Sequence, residues 1–270
     1  MIFIDFIIGI VAGFMAGLLG IGGGILFSTV LFYLFTKSGM HNVVKWTVGS
    51  SLFCVFTTSI SSVYKHFNQE NIYWSESIKI GAAGVLGTVV GTLINRSGFY
   101  HREEFVAFFC LVLIYAAYSF IRGNHSKVEN NQELEKDVTI KDALLIGGLG
   151  GCVASLAGVG GGIILVPFLT LIYNKSIYKT VSISALSIVF IALFGWLQFA
   201  LLYHPVKTLT SFTVGYVDFG TALPLVIGGL IGARFGVWAN SRIKPKVIHW
   251  IFASFVFIVA IHLIWDTYLA

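Results

Sequence analysis

Apolar and polar positions fall in long blocks along this chain. Six apolar runs, at about residues 46–64, 77–95, 104–121, 180–203, 217–239 and 247–265, each approach the ~20 residues that a helix needs to cross a bilayer core. Each is predicted to be a membrane span. Two further apolar stretches, 2–36 and 143–173, are too long for one straight crossing, and glycine runs interrupt both near their centres. The one long hydrophilic stretch, 123–140, is rich in charge and poor in apolar residues. It reads as a solvated linker.

The blocks repeat. GFMAGLLGIGGGIL at 13–26 overlays GCVASLAGVGGGII at 151–164 with a constant offset of 138, matching Gly20 with Gly158 and the triplet Gly22, Gly23, Gly24 with Gly160, Gly161, Gly162. Downstream, KWTVGSSL at 45–52 overlays KTVSISAL at 179–186, and the pair Gly87 and Gly91 overlays Gly232 and Gly236. The order of elements is duplicated. The predicted organisation is a first repeat over 1–122, the linker 123–140 and a second repeat over 141–270. The fold class is an all-α integral membrane protein of two homologous helical halves, each with a Gly-broken element and three transmembrane helices.

The relative orientation of the halves depends on those broken elements. If each turns back within the membrane, a half has three crossings and the repeats are inverted, the usual architecture of secondary transporters. If each crosses, a half has four and the repeats are parallel. Turning back puts Lys65, Arg122, Lys127, Lys136, Lys141, Lys175, Lys179, Arg242, Lys244 and Lys246 on one side, against Lys37, Lys45, Arg96, Arg102 and Lys207 on the other. Crossing moves the linker to the opposite side and gives a weaker asymmetry. The positive-inside rule puts both termini outside under either arrangement. Inverted repeats are the preferred expectation, with the parallel arrangement as the alternative.

Composition removes other classes. Hydrophobic residues make up 57% of the 270 and charged residues 11%, against roughly a quarter charged in soluble domains. The net charge of +5 comes from loops beside apolar runs, so it fits membrane topology better than nucleic acid. The N-terminal segment lacks a basic n-region and reads as a retained membrane segment. Cys54, Cys110 and Cys152 lie singly in apolar runs and imply no metal site. No acidic residue lies deep in a predicted span, which disfavours a pump for metal cations. No catalytic constellation and no cofactor pattern is visible, so an enzyme is not expected.

The glycine triplets carry the candidate chemistry. Each glycine costs a helix about 1 kcal/mol relative to alanine, and irregular backbone at membrane depth survives only where protein buries it or water lines it. Apolar helix resumes after each triplet, so unpaired N–H groups and the positive dipole end face the break. Two such ends near the midplane would attract an anion. Ser50 and Ser51, then Ser182 and Ser184, follow in the next span of each half and supply neutral donors. Arg234 and Gln198, polar residues within apolar runs, complete the candidate substrate contacts. Gly9, Gly13, Gly17, Gly87, Gly91, Gly232 and Gly236 are expected instead to let helices pack closely.

The duplicated GLLGIGGGIL and AGVGGGIILVPF, each followed by a VGSSL-like segment, resemble the TauE/SafE sulfite exporter family over essentially the whole chain. The resemblance implies a permease of the cytoplasmic membrane for sulfite, sulfonates or related small anions, working by alternating access. The partners expected are the anion, the bilayer, a coupling proton or sodium ion, and a second copy in a homo-oligomer. A passive anion channel on the same scaffold is the alternative, and a membrane-embedded enzyme or scaffold a more distant one. Ser28-Thr29 stands where the second half has Val166-Pro167, a departure from the symmetry of the two halves.

Overall fold

A computed structural model describes residues 2–19, 23–67, 73–122, 138–202, 209–240, 242, 254, 257–265 and 267. The helices are α1 (Ile2–Leu19), α2 (Gly24–Lys37), α3 (Val43–Phe67), α4 (Trp74–Arg96), α5 (Arg102–Arg122), α6 (Ile140–Ala157), α7 (Gly162–Leu171), α8 (Ile177–Ala200) and α9 (Phe219–Asn240). A short antiparallel hairpin, β1 (Thr213–Val214) with β2 (Val217–Asp218), precedes α9. Residues 123–137 of the predicted linker 123–140 and most of the last predicted span lie outside the described residues, although 257–264 is helical.

Among the described residues, five helical stretches are long and apolar enough to cross a membrane: Val43–Tyr64, Trp74–Arg96, Ile140–Ala157, Lys179–Ala200 and Phe219–Gly236. Four coincide with predicted spans, and α5 covers a fifth, at 104–121. The Ile140–Ala157 stretch belongs to the second broken element, so its first arm alone has the length of a span. Local chemistry sets the ends. Thr139 accepts the Asp142 N–H while the Asp142 carboxylate takes the Thr139 N–H, a capping box that starts α6. The predicted span at 217 begins two residues late because Asp218 caps α9 through the Thr221 N–H, which leaves Val217 and Asp218 to the hairpin.

Helix α4 is built with small residues inside and large ones outside. On α4 the buried face is Ser77, Ile80, Gly81, Ala83, Gly84, Gly87, Thr88, Gly91, Thr92 and Asn95, while Leu86, Val89, Val90 and Leu93 are exposed. Water would reverse that order. Lipid permits it, because burying leucine against protein rather than hydrocarbon gains little and close packing of small residues gains more.

Contacts define the helix directions. Gly49 lies beside Phe199, Leu52 beside Gly195 and Phe56 against Trp196, so α3 and α8 run antiparallel. Helix α4 runs with α8, since Ser187 donates to Ser77 O and Gln198 to Thr88 Oγ1. It also runs with α6, as Gly147 lies beside Ile80, Gly91 beside Cys152, and Asn95 donates to Ser155 O. Helix α2 runs against α3, with Ser28 at Ser51 and Phe35 at Trp46.

Of the glycines expected to serve packing, Gly9, Gly13, Gly87, Gly91 and Gly232 do so. A Cβ on Gly13 would overlap the Gly229 backbone, on Gly9 that of Leu225 and on Gly232 that of Ile10. The same clashes recur for Gly151 with Gly84, Gly147 with Ile80 and Gly87 with Gly148. Adding 138 to α1 and subtracting 145 from α9 converts one set into the other. The first helix of each half therefore packs on the second crossing helix of the other half. Gly151→Ala should lower the thermal midpoint in detergent, because overpacking by about 1–3 kcal/mol exceeds the ~1 kcal/mol helix gain. Gly148→Ala, whose added Cβ meets nothing within 4 Å, should leave the midpoint unchanged or raise it; equal midpoints for the two variants would refute the close approach.

Candidate functional site at the glycine turns

Helix α6 ends at Gly158 and α7 begins after Gly161, with φ of 73°, 77° and 81° at Gly158, Gly160 and Gly161. Side chains rarely adopt that region, so the glycines make the turn possible. Gly150 on α6 lies against Leu165 and Gly161, so α7 folds back along α6. Residues 158–163 are all buried. A Cβ on Gly160 would meet Val55 and Ile188, which stand at the centres of α3 and α8. The turn therefore sits at mid-height of the two longest helices around it.

The first triplet is described from Gly23 onward; Gly22 lies outside the described residues. Gly23 precedes α2 with φ 73°, matching Gly161 before α7. Its carbonyl accepts Leu26 N and Phe27 N at 3.0 and 3.1 Å, and Gly161 O accepts Ile164 N and Leu165 N at the same distances. The two helix starts share one geometry at the repeat offset. The start of α2 also meets the second turn: a Cβ on Gly24 would overlap Val159 O. The first residues of α2 thus lie beside the chain that leads into α7, at mid-height.

Hydroxyls secure the turn. Ser51 donates to Gly158 O at 2.8 Å, and Ser28 Oγ lies 2.9 Å from both Ala157 O and Ser51 Oγ. These carbonyls terminate α6 and would otherwise lack donors. Ser51 thus stands at the turn as expected, with its proton committed to backbone in this conformation. Ser28, treated above only as a break in symmetry, is the residue that sequence reasoning missed. Its signal was a serine four residues beyond a triplet within an apolar helix.

The other candidates disperse. Ser50 accepts the Asp218 N–H at 2.9 Å, tying α3 to the start of α9. Ser184, at the matching position of α8, is buried. Gln198 donates to Thr88 Oγ1 at 2.9 Å and to Phe194 O, joining α8 to α4. Arg234 is exposed with Ile231, Phe235 and Trp238, on the face of α9 opposite Gly229 and Gly232. It does not reach the turns. At one end of the bundle Lys175, its side chain only 1% exposed, pairs with Glu76 at 2.6 Å, and Lys179 stands over the Tyr73 ring. At the other end Lys45 stands over Tyr216.

Small buried faces, a large apolar exterior and a buried glycine turn at mid-height define a multi-pass helical membrane protein. The chain belongs to the sulfite exporter TauE/SafE family, whose pattern matches residues 5–263. It is 30% identical over 243 residues to a probable membrane transporter protein of Methanocaldococcus jannaschii, covering 89% of this chain and 86% of the relative. A probable membrane transporter protein of Haemophilus influenzae is 26% identical over 261 residues, covering 95% and 96%. One of Bacillus subtilis is 21% identical over 280 residues, covering 96% of each. No solved structure gives a significant match. The family resemblance seen in the glycine motifs is borne out, and membrane transport is the activity named for these relatives.

Removing the hydroxyl in Ser51→Ala strands a buried carbonyl, at a cost of about 1–3 kcal/mol. The loss should appear as a lower thermal midpoint in detergent. Because Ser28 and Ser51 share one hydrogen-bonded chain, the double variant should lose less than the sum of the single losses. Additive losses would contradict that chain.

Proposed function

We propose that the protein is a secondary transporter for a small oxyanion of sulfur, sulfite or a sulfonate, bound between the glycine turns and moved by alternating access. The observation that carries this reading is the meeting of the α2 start with the second turn at mid-height. Each helix start contributes first-turn amides and roughly half a positive elementary charge, the pattern that binds anions at helix N-termini. Hydroxyls, not fixed charges, surround the place, so the anion is held without being trapped. The family name supplies the sulfur oxyanion. A proton or sodium gradient drives the movement.

The halves are inverted on this reading, with each broken element entering and leaving from one side. Support comes from α3 and α8, repeat counterparts that run antiparallel. Further support comes from the second hairpin: α6 runs with α4, and α7 leads to Lys175, which pairs with Glu76 at the start of α4. Both arms thus have their outer ends where α4 begins. That end then carries Lys65, the linker, Lys175, Lys179 and Arg242, and faces the cytoplasm; both termini are outside, and the membrane is the cytoplasmic one.

In the form described, the Ser28 and Ser51 hydroxyls cap α6. Tilting of the hairpin away from α2 and α3 would free them to turn towards an anion, coupling access to binding. Proteoliposomes loaded with labelled sulfite or taurine should show saturable flux that responds to an imposed pH or sodium gradient. Gly161→Val, which adds about 1–3 kcal/mol of backbone strain, should abolish most of the flux while the protein remains inserted. Flux that never saturates and ignores both gradients would mean a channel, and no flux of either anion would refute the reading.

A further inference from the structure

The outward face of α9 carries a feature that transport at the turns does not use. Ile231, Arg234, Phe235, Trp238 and Arg242 are all exposed and recur at helical spacing, on the side away from the glycines that pack on α1. Ile231, Arg234, Phe235 and Trp238 line a cavity of about 580 Å³. The Arg242 guanidinium stands over the Trp238 ring, 4.3 Å from its centroid. An arginine, an aromatic ring and a second arginine thus follow one another at successive turns.

Depth makes the arrangement specific. Arg234 lies six residues before Asn240, where α9 ends, about 9 Å along the axis at ~1.5 Å per residue, and within the stretch Phe219–Gly236 that is apolar enough to cross a membrane. Its neighbours on that face are large and apolar. An arginine facing lipid at that level is costly unless an anion accompanies it, and among the described residues no carboxylate pairs with Arg234; the ion pair present is Lys175 with Glu76. No described residue of the chain supplies that anion. The rest of the lining, Ile231, Phe235 and Trp238, suits an acyl chain and the interfacial position that tryptophan prefers.

We propose that this face of α9 is a binding site for an anionic phospholipid, with the phosphate between Arg234 and Arg242 and the upper acyl chain along Ile231 and Phe235. Charge complementarity selects the occupant: two guanidiniums, followed in the chain by Lys244 and Lys246, favour a phosphate headgroup of net negative charge over a zwitterionic one. Arg234 thereby serves the lipid boundary, and the site goes beyond the transport reading without depending on it.

Native mass spectrometry of the full chain in detergent, with added phosphatidylglycerol or phosphatidylcholine of matched acyl chains, tests this. Phosphatidylglycerol should be retained preferentially, and Arg234→Gln and Arg242→Gln should each weaken retention about fivefold. Lys79→Gln, exposed on α4, should not. Inorganic phosphate at equal ionic strength should neither displace the lipid nor bind in its place. Should the arginine variants fail to insert, brominated phosphatidylglycerol in bicelles decides with the wild-type chain: it should quench the fluorescence component lost in Trp238→Phe more than brominated phosphatidylcholine does. Equal retention of the two lipids, retention indifferent to both arginines, displacement by inorganic phosphate, or equal quenching would overturn the proposal.

Discussion

Backbone that is not helical can lie inside a membrane protein only if its polar groups find partners there. The turn from Gly158 to Gly161 meets that condition with two serines from the other half, which reach the last carbonyls of α6. Three left-handed glycines give the chain its sharp reversal, and the same absence of side chains lets Gly24 approach Val159. The mid-height meeting of the two halves rests on these small groups. A larger residue at any of them would separate the start of α2 from the second turn.

A second consequence concerns how the halves hold together. Hydrophobic burial is a weak glue between helices in lipid, so contact depends on close approach. The reciprocal glycine clashes of α1 with α9 and of α6 with α4 show that approach in both halves. Each hairpin is therefore anchored by its first arm to the opposite half, while its second arm starts at the turn. The exterior, with Leu86, Val90 and Leu93 of α4 and Ile231 and Phe235 of α9 exposed, is left to the lipid.

Much of this was legible in the chain, for identifiable reasons. Positive φ demands glycine, so GVGGG inside an apolar run announces a turn before any coordinates are known. The repeat offset aligned the starts of α2 and α7, and Gly9, Gly13, Gly87, Gly91 and Gly232 read correctly as contact residues. Pairings across the halves were not legible. Ser28 to Ala157 spans 129 positions and Lys175 to Glu76 spans 99, and no local pattern encodes such distances. Arg234 misled because an apolar run shows depth but not direction; only the packing of Gly229 and Gly232 on α1 shows that it faces outward. Gln198 likewise looked like a pathway residue until Thr88 was found beside it.

The central claim is that the glycine-broken segments are hairpins that enter to mid-height and return, making the two halves inverted. Full crossings would place the 123–137 linker and the loop before α9 on one side of the membrane; returning hairpins place them on opposite sides. The most direct measurement is labelling of Asn130→Cys and Ser211→Cys in sealed right-side-out vesicles with a membrane-impermeant maleimide, with the native cysteines replaced. The account predicts that Ser211→Cys is labelled from outside and that Asn130→Cys reacts only after the vesicles are opened. Labelling of both from the same side would contradict it.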